Sequence, residues 1–190
     1  MRDRGFSLVE ALVVVAIVLV MAATAFPAFR ALFADAHILG AGRQFKSQFR
    51  LACSAAVRSG VYTAIRFERR EDGTVWYALY RDGDGDGVRS ADITDGRDTL
   101  LSGPFPLSAN APGVRVAINP GVPALPPEHG LLTGDPVRFG SSDILSFSPF
   151  GTATPGTFYL AGDASQAAVR VTGGSARVRL MIWRGGWRER

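Results

Sequence analysis

Three places in this chain carry residues whose types and spacing could do chemistry. The first is Asp82-Gly83-Asp84-Gly85-Asp86-Gly87-Val88. Carboxylates at the first, third and fifth positions, glycine at the sixth and a backbone carbonyl at the seventh are the donor order of a calcium loop. Asp82, Asp84, Asp86 and the Val88 carbonyl are therefore candidate ligands for a hard cation. The twelfth position of such a loop carries a bidentate carboxylate, but here it is Ile93, with Asp92 one residue early and Asp95 two late. Asp92 completes the candidate set. Between 82 and 98 six aspartates face only Arg89 and Arg97, so without a cation they repel one another. The alternative is a solvated Asp-Gly turn whose arginines supply the compensation. No cofactor is required elsewhere, and calcium is the ion this loop would take.

The second place is the C-terminal segment 166–190, where six arginines meet a single acid, Glu189. In a strand over 176–183, alternation puts Ala176, Val178, Leu180 and Ile182 on one face and Arg177, Arg179, Met181 and Trp183 on the other. With Arg184, Trp187, Arg188 and Arg190 following, Arg177, Arg179, Arg184, Arg188 and Arg190 are candidate contacts for a nucleic-acid backbone, with the tryptophans free to stack. The competing reading is a solvated sheet face whose arginine stems cover apolar surface. No base-reading motif accompanies the charge.

The third place is Glu10, a carboxylate directly before the apolar run 11–26, ALVVVAIVLVMAATAF, which Phe6, Leu8 and Val9 extend on its other side. From 6 to 27 a helix would cover about 33 Å, close to the ~30 Å of a bilayer's hydrocarbon core. Arg2 and Arg4 precede it, which by the positive-inside rule leaves the N-terminus in the cytoplasm and everything after Pro27 outside. A secretory signal peptide has the same basic and apolar regions. Yet the small residues 22–25 run on into Phe26, Pro27 and Phe29, and a carboxyl in an apolar span costs about 2.5–3.5 kcal/mol unless something pairs with it.

Catalysis has no comparable set of residues. There is no G-x-S-x-G, H-E-x-x-H or helix-opening G-x-G-x-x-G motif, and His129 is isolated. Lys46 is the one lysine and follows no glycine-rich loop; Cys53 alone can form no internal disulfide or cysteine zinc site. The chain is expected not to be an enzyme.

The elements that position these groups follow from periodicity. Ile38, Phe45, Phe49, Cys53 and Ala56 recur at helical spacing, so the helix is predicted to continue to about Ser59 and stop at Gly60. Cys53 reads as a small core residue rather than half of an intermolecular disulfide. Gly40 and Gly42 weaken the helix, and Pro27 predicts a kink or local melting. Beyond residue 60, short β-branched and aromatic runs predict antiparallel strands over 62–67, 75–80, 114–118, 144–147, 157–160, 168–172 and 176–183, with hairpins at Asp72-Gly73 and Gly173-Gly174. Eight of the eleven prolines fall in 103–136, which reads as an irregular excursion over the surface.

The run Gly5-Phe6-Ser7-Leu8-Val9-Glu10 resembles the processing site of type IV pilin-like proteins. The resemblance implies that a prepilin peptidase cuts between Gly5 and Phe6 on the cytoplasmic side and methylates the new amine of Phe6. Glu10 would pair with that amine on a neighbouring subunit, two buried charges offsetting each other's desolvation. The segments 45–67 and 144–180 are similar to the helix-to-strand junction and the C-terminal strands of the GspH/FimT group of minor pseudopilins and minor pilins. The fold class so implied is α+β and pilin-like, a long N-terminal helix, its first half transmembrane, packed on an antiparallel β-sheet domain. The organisation is a leader at 1–5, an assembly helix at 6–29, its extracytoplasmic half at 30–59 and a β-rich domain at 60–190 with the acidic loop 82–98 and the proline-rich excursion 103–136. The role implied is a minor pseudopilin of type II secretion, a single-pass inner-membrane protein with a periplasmic domain and other pseudopilins as partners. The alternatives are a minor pilin of a type IV pilus that binds DNA through the C-terminal arginines, and a periplasmic binding domain whose site is the Asp loop.

Overall fold

Two antiparallel sheets pack against the second half of one long helix, which its first half leaves behind. The computed structural model describes residues 7–107 and 112–190, without the side chains at 25, 27–32 and 34. Helix α1 (Leu8–Ser59) is 52 residues long, about 78 Å, and is capped by Gly60, whose backbone turns left-handed (φ 70°) and donates to the Ala56 carbonyl. The helix passes through Pro27 without a break, which corrects the melting expected there. A proline forfeits one amide donor, and the helix on either side carries its ladder across the gap.

The apolar stripe buries Ile38, Ala41, Phe45, Phe49, Ala52 and Ala56; Cys53 is half-buried and its thiol free. Phe45 and Phe49 sit in an aromatic cluster with Phe67, Phe139 and Phe158, the Phe45–Phe158 and Phe67–Phe158 ring centroids both 4.9 Å apart. Gly42, read from sequence as a weak point, lies where the helix packs tightly against the side chain of Leu180. A Cβ there would lie 2.6 Å from Leu180 Cδ1.

The first sheet, in the order β3-β2-β1-β5, comprises β3 (Thr99–Pro106), β2 (Val75–Arg81), β1 (Thr63–Arg69) and β5 (Ile144–Phe147). The second, β4-β6-β7-β8-β9, comprises β4 (Val137–Arg138), β6 (Gly156–Ala161), β7 (Gln166–Val171), β8 (Val178–Trp183) and β9 (Trp187–Glu189). Thr63 ties β1 to α1 by donating its hydroxyl to the Ala52 carbonyl at 2.8 Å. The expected hairpins form, β1 with β2 and β7 with β8.

Three strands went unread, β3, β4 and β9. β3 carries Gly103, Pro104 and Pro106, which read as turn residues, yet an edge strand tolerates proline. The strand expected over 114–118 is a single bridge of Arg115 with Ala161, because Asn119 is drawn aside by Gln166, whose Oε1 accepts the Asn119 amide at 2.8 Å. The excursion is not a surface wanderer either. Its Val122, Leu125 and Leu132 are buried with Tyr159 and Ala168, forming a second core on the far face of the second sheet. Gln166, Arg170 and Trp187 hold it there through the carbonyls of Ala117, Pro126 and Pro123.

No helix among the described residues is long and apolar enough to cross a membrane. Of the span expected over 6–29, the continuous run of described side chains extends from Leu8 to Thr24 and includes Glu10.

Candidate functional site

The start of α1 is built by a short local rule. Ser7 is the N-cap, its hydroxyl accepting the Glu10 amide at 3.2 Å while the Ser7 amide donates to Glu10 Oε2 at 2.9 Å. This reciprocal capping box satisfies two donors that a helix start leaves orphaned. The Ser-x-x-Glu spacing was legible in the sequence and went unused. Glu10 thus stands at the positive end of the helix dipole, in the first turn of the helix, a place that favours an anion. Gly5 and Phe6, the expected processing pair, lie outside the described residues. From Leu8 to Met21 every large apolar side chain is exposed, from 51% at Val13 to 82% at Leu8, so the helix presents Glu10 on a bare apolar rod.

The acidic loop is closed largely by its own backbone. Buried Asp82 accepts the amides of Asp84 (3.1 Å), Gly85 (2.8 Å) and Gly87 (3.1 Å); buried Asp98 accepts those of Gly83 (3.3 Å) and Arg89 (3.0 Å). Gly83 is required, since a Cβ there would fall 1.9 Å from the Arg97 carbonyl oxygen. The loop also rests on the first sheet through Val88, buried with Ala64 and Ile144, and through the short helix α2 (Ser90–Thr94).

Carboxylate oxygens of Asp82, Asp84 and Asp86 converge within 4.8 Å, a group that could hold a metal ion. Asp92, the fourth candidate, does not join them. It is buried against Arg97 at 3.0 Å, while Arg97 also reaches Asp95 at 2.7 Å and Asp84 at 3.7 Å, and Arg89 pairs with Asp86. Desolvation, and then Asp84, holds the Asp86 carboxyl above the usual aspartate range, with Arg89 opposing. The donors present fit three ligands of a calcium loop, and the arginines already supply much of the charge such an ion would bring.

The C-terminal arginines do not form one surface. Arg184 is bound to α1, its Nε 3.2 Å from Asp35 Oδ2; Arg179 lies 3.9 Å from Glu189, with its Nε buried and lacking a hydrogen bond. Arg177, Arg188 and Arg190 have no ion pair among the described residues, and Arg177 precedes β8 whereas the other two lie in or just after β9. The alternation read for β8 is correct, but Met181, Trp183 and Trp187 are half-buried against the excursion rather than open to solvent. This corrects the stacking face expected for nucleic acid. The sequence could not show that 120–132 would cover it.

Comparison with known proteins decides what the helix and sheets belong to. Residues 1–26 match the prokaryotic N-terminal methylation motif, and residues 41–177 match the family of the type II transport protein GspH. The chain belongs to the GspH family. GspH-family chains are structural, pilin-like subunits, so the α+β architecture of α1 against two antiparallel sheets is the pilin-like fold expected from the sequence, and a minor pseudopilin or pilin role follows. The methylation motif covers Gly5, Phe6 and Glu10 and fits a membrane-anchored, periplasmic subunit processed by the prepilin peptidase. No curated protein and no solved structure matches the chain.

Proposed function

We propose that this GspH-family chain is a minor pseudopilin of a type II secretion pseudopilus. In this reading the peptidase cleaves between Gly5 and Phe6 and methylates the Phe6 amine, and α1 then leaves the inner membrane to bundle with the helices of other subunits. The observation that carries the reading is the bare apolar half of α1. From Leu8 to Met21 its large apolar side chains are exposed, and a helix apolar all round is stable only in lipid or among other helices. The described run 8–24 gives about 25 Å of helix, most of the ~30 Å of a bilayer's hydrocarbon core.

Glu10 has a double role here. It caps its own helix at Ser7, and in the filament it accepts a neighbour's methylated amine, a charge pair that fixes register where lipid-like surroundings make a lone carboxylate costly. The two roles separate by substitution. Glu10→Gln keeps the capping geometry and removes the charge; Glu10→Ala removes both. Both variants are expected to be cleaved at Phe6, and both to enter filaments at least ~10-fold less, the effect of a charge pair worth over about 1.4 kcal/mol. Wild-type incorporation of Glu10→Gln would overturn the pairing role, and a mature N-terminus other than Phe6, found by mass spectrometry, would overturn the assembly reading.

Service in a type IV pilus would use the same helix. Genes for a secretin and a secretion ATPase beside this one support the secretion reading, whereas pilus and competence genes would replace it.

A further inference from the structure

We infer that the flank of α1 from Gln48 to Arg58, with the exposed edge strand β3 beside it, is a docking groove for an acidic amphipathic helix of another protein. The inference concerns the globular domain and goes beyond the assembly role of the bare half of α1.

The groove exists because one helix is shared between two sheets. Strands lie about 4.8 Å apart, so the four of the first sheet are wider than a helix about 10 Å across, and α1 must cover the second sheet as well. Its stripe packs on Ile65 and Phe67 of β1, whereas β3 stays exposed along most of its length. Between them opens a groove of about 250 Å³, walled by Leu51, Ala55 and Arg58 of α1 and by Ser102 and Phe105 of β3, and lined also by Leu79 of β2. Leu51 is 59% exposed and Phe105 44%. An apolar cavity of about 150 Å³ takes a benzene ring, so this groove has room for large apolar side chains. A helix beside α1 at the usual separation of about 8–10 Å would insert them and complete the layer. A strand would not, because Pro104 and Pro106 withhold amide donors from the β3 edge and its register shifts between Tyr77 and Tyr80.

Charge selects the occupant. From 36 to 67 the chain has no acidic residue. Arg43, Arg50 and Arg58 lie seven and eight residues apart, two helical turns each, so they share one side of α1. All three are exposed and without an ion pair among the described residues. No acid lines the groove. A helix with an apolar ridge flanked by Asp or Glu would set the ridge on Leu51 and its carboxylates on Arg50 and Arg58. The same charge turns away a second copy, whose own flank is equally basic. Lipid is out of reach, since Arg50 and Arg58 stand 23 and 31 residues past Pro27, about 35 and 46 Å along the helix. Duplex DNA would satisfy the arginines but leave the apolar groove unfilled.

Binding of labelled helical peptides to the full-length chain in detergent, read by fluorescence anisotropy against empty micelles, tests this. The probe is a stapled helix of about 18 residues with leucines along one ridge and glutamates on both sides of it. One control replaces every glutamate by lysine, the other every leucine by serine. The expected result is saturable binding of the acidic amphipathic peptide at low salt, with Kd below about 100 μM, and binding at least about tenfold weaker for both controls. Leu51→Glu should weaken it about tenfold with the fold retained by circular dichroism, because that side chain is 59% exposed. Arg50→Glu together with Arg58→Glu should reverse the preference toward the lysine peptide. Failure of the acidic peptide to bind overturns the proposal, as does indifference to these substitutions or equal binding of the serine control. Tighter binding of duplex DNA than of the peptide at the same salt overturns it in favour of phosphates. A dimer in sedimentation that Leu51→Glu dissolves overturns it in favour of a second copy. None of these outcomes touches the assembly reading, which depends on the other half of α1.

Discussion

The two halves of α1 are one continuous helix in opposite circumstances. From Leu8 to Met21 its apolar side chains stand in the open, whereas Ile38, Phe45, Phe49 and Ala56 are sealed under two sheets. The residue patterns explain the contrast. The first half is apolar on every side of the wheel, and no single sheet can cover all of it; the second gathers its buried apolar groups on one stripe, with Arg43, Lys46 and Arg50 elsewhere and only Leu51 and Val57 of its large apolar side chains exposed past residue 35. The first half is thus a surface for other molecules and the second a core for this one. Stability and assembly therefore reside in different halves of one element and should respond separately to substitution.

The largest effect expected is at Phe49. Phe49→Ala removes a ring that contacts Phe45, Phe67, Phe139 and Phe158, and should cost about 3–5 kcal/mol in denaturant unfolding of the detergent-solubilised chain. Leu12→Ala in the bare half should leave that unfolding unchanged while reducing filament incorporation. If Leu12→Ala instead lowered stability, the bare half would have a partner within the chain and the comparison would break.

A smaller loss is expected in the acidic loop. Asp82→Ala strands three backbone amides, those of Asp84, Gly85 and Gly87, for about 1–3 kcal/mol by the same measurement. Millimolar calcium sharpens this result. With the loop closed by amides and arginines, chelation of divalent ions should leave the melting temperature where it was; a rise on adding calcium would assign Asp82, Asp84 and Asp86 as ligands.

The smallest effect has opposite signs at neighbouring glycines. Gly40→Ala, with nothing within 4 Å of the new methyl, should stabilise by up to about 1 kcal/mol through helix propensity. Gly42→Ala should destabilise by about 1 kcal/mol, because the methyl must displace buried Leu180. Equal stabilisation by both would show that the helix does not press on β8 as closely as the structure has it.

Much of this molecule follows from local rules. The apolar run, the Glu within it, the stripe from Ile38 to Ala56, the stop at Gly60 and the hairpins at Asp72-Gly73 and Gly173-Gly174 each depend on residues within a few positions of one another, and each appears where the sequence puts it. The tertiary structure alone decided the rest. Which aspartates converge depended on Arg97 reaching back to Asp92, and which tryptophans stay open depended on an excursion returning some fifty residues away to cover them. The reason is physical. Helix caps, turns and periodicity are set by short-range geometry, whereas pairing between distant charges and burial of a sheet face depend on how separate segments divide a shared surface, which no local pattern encodes.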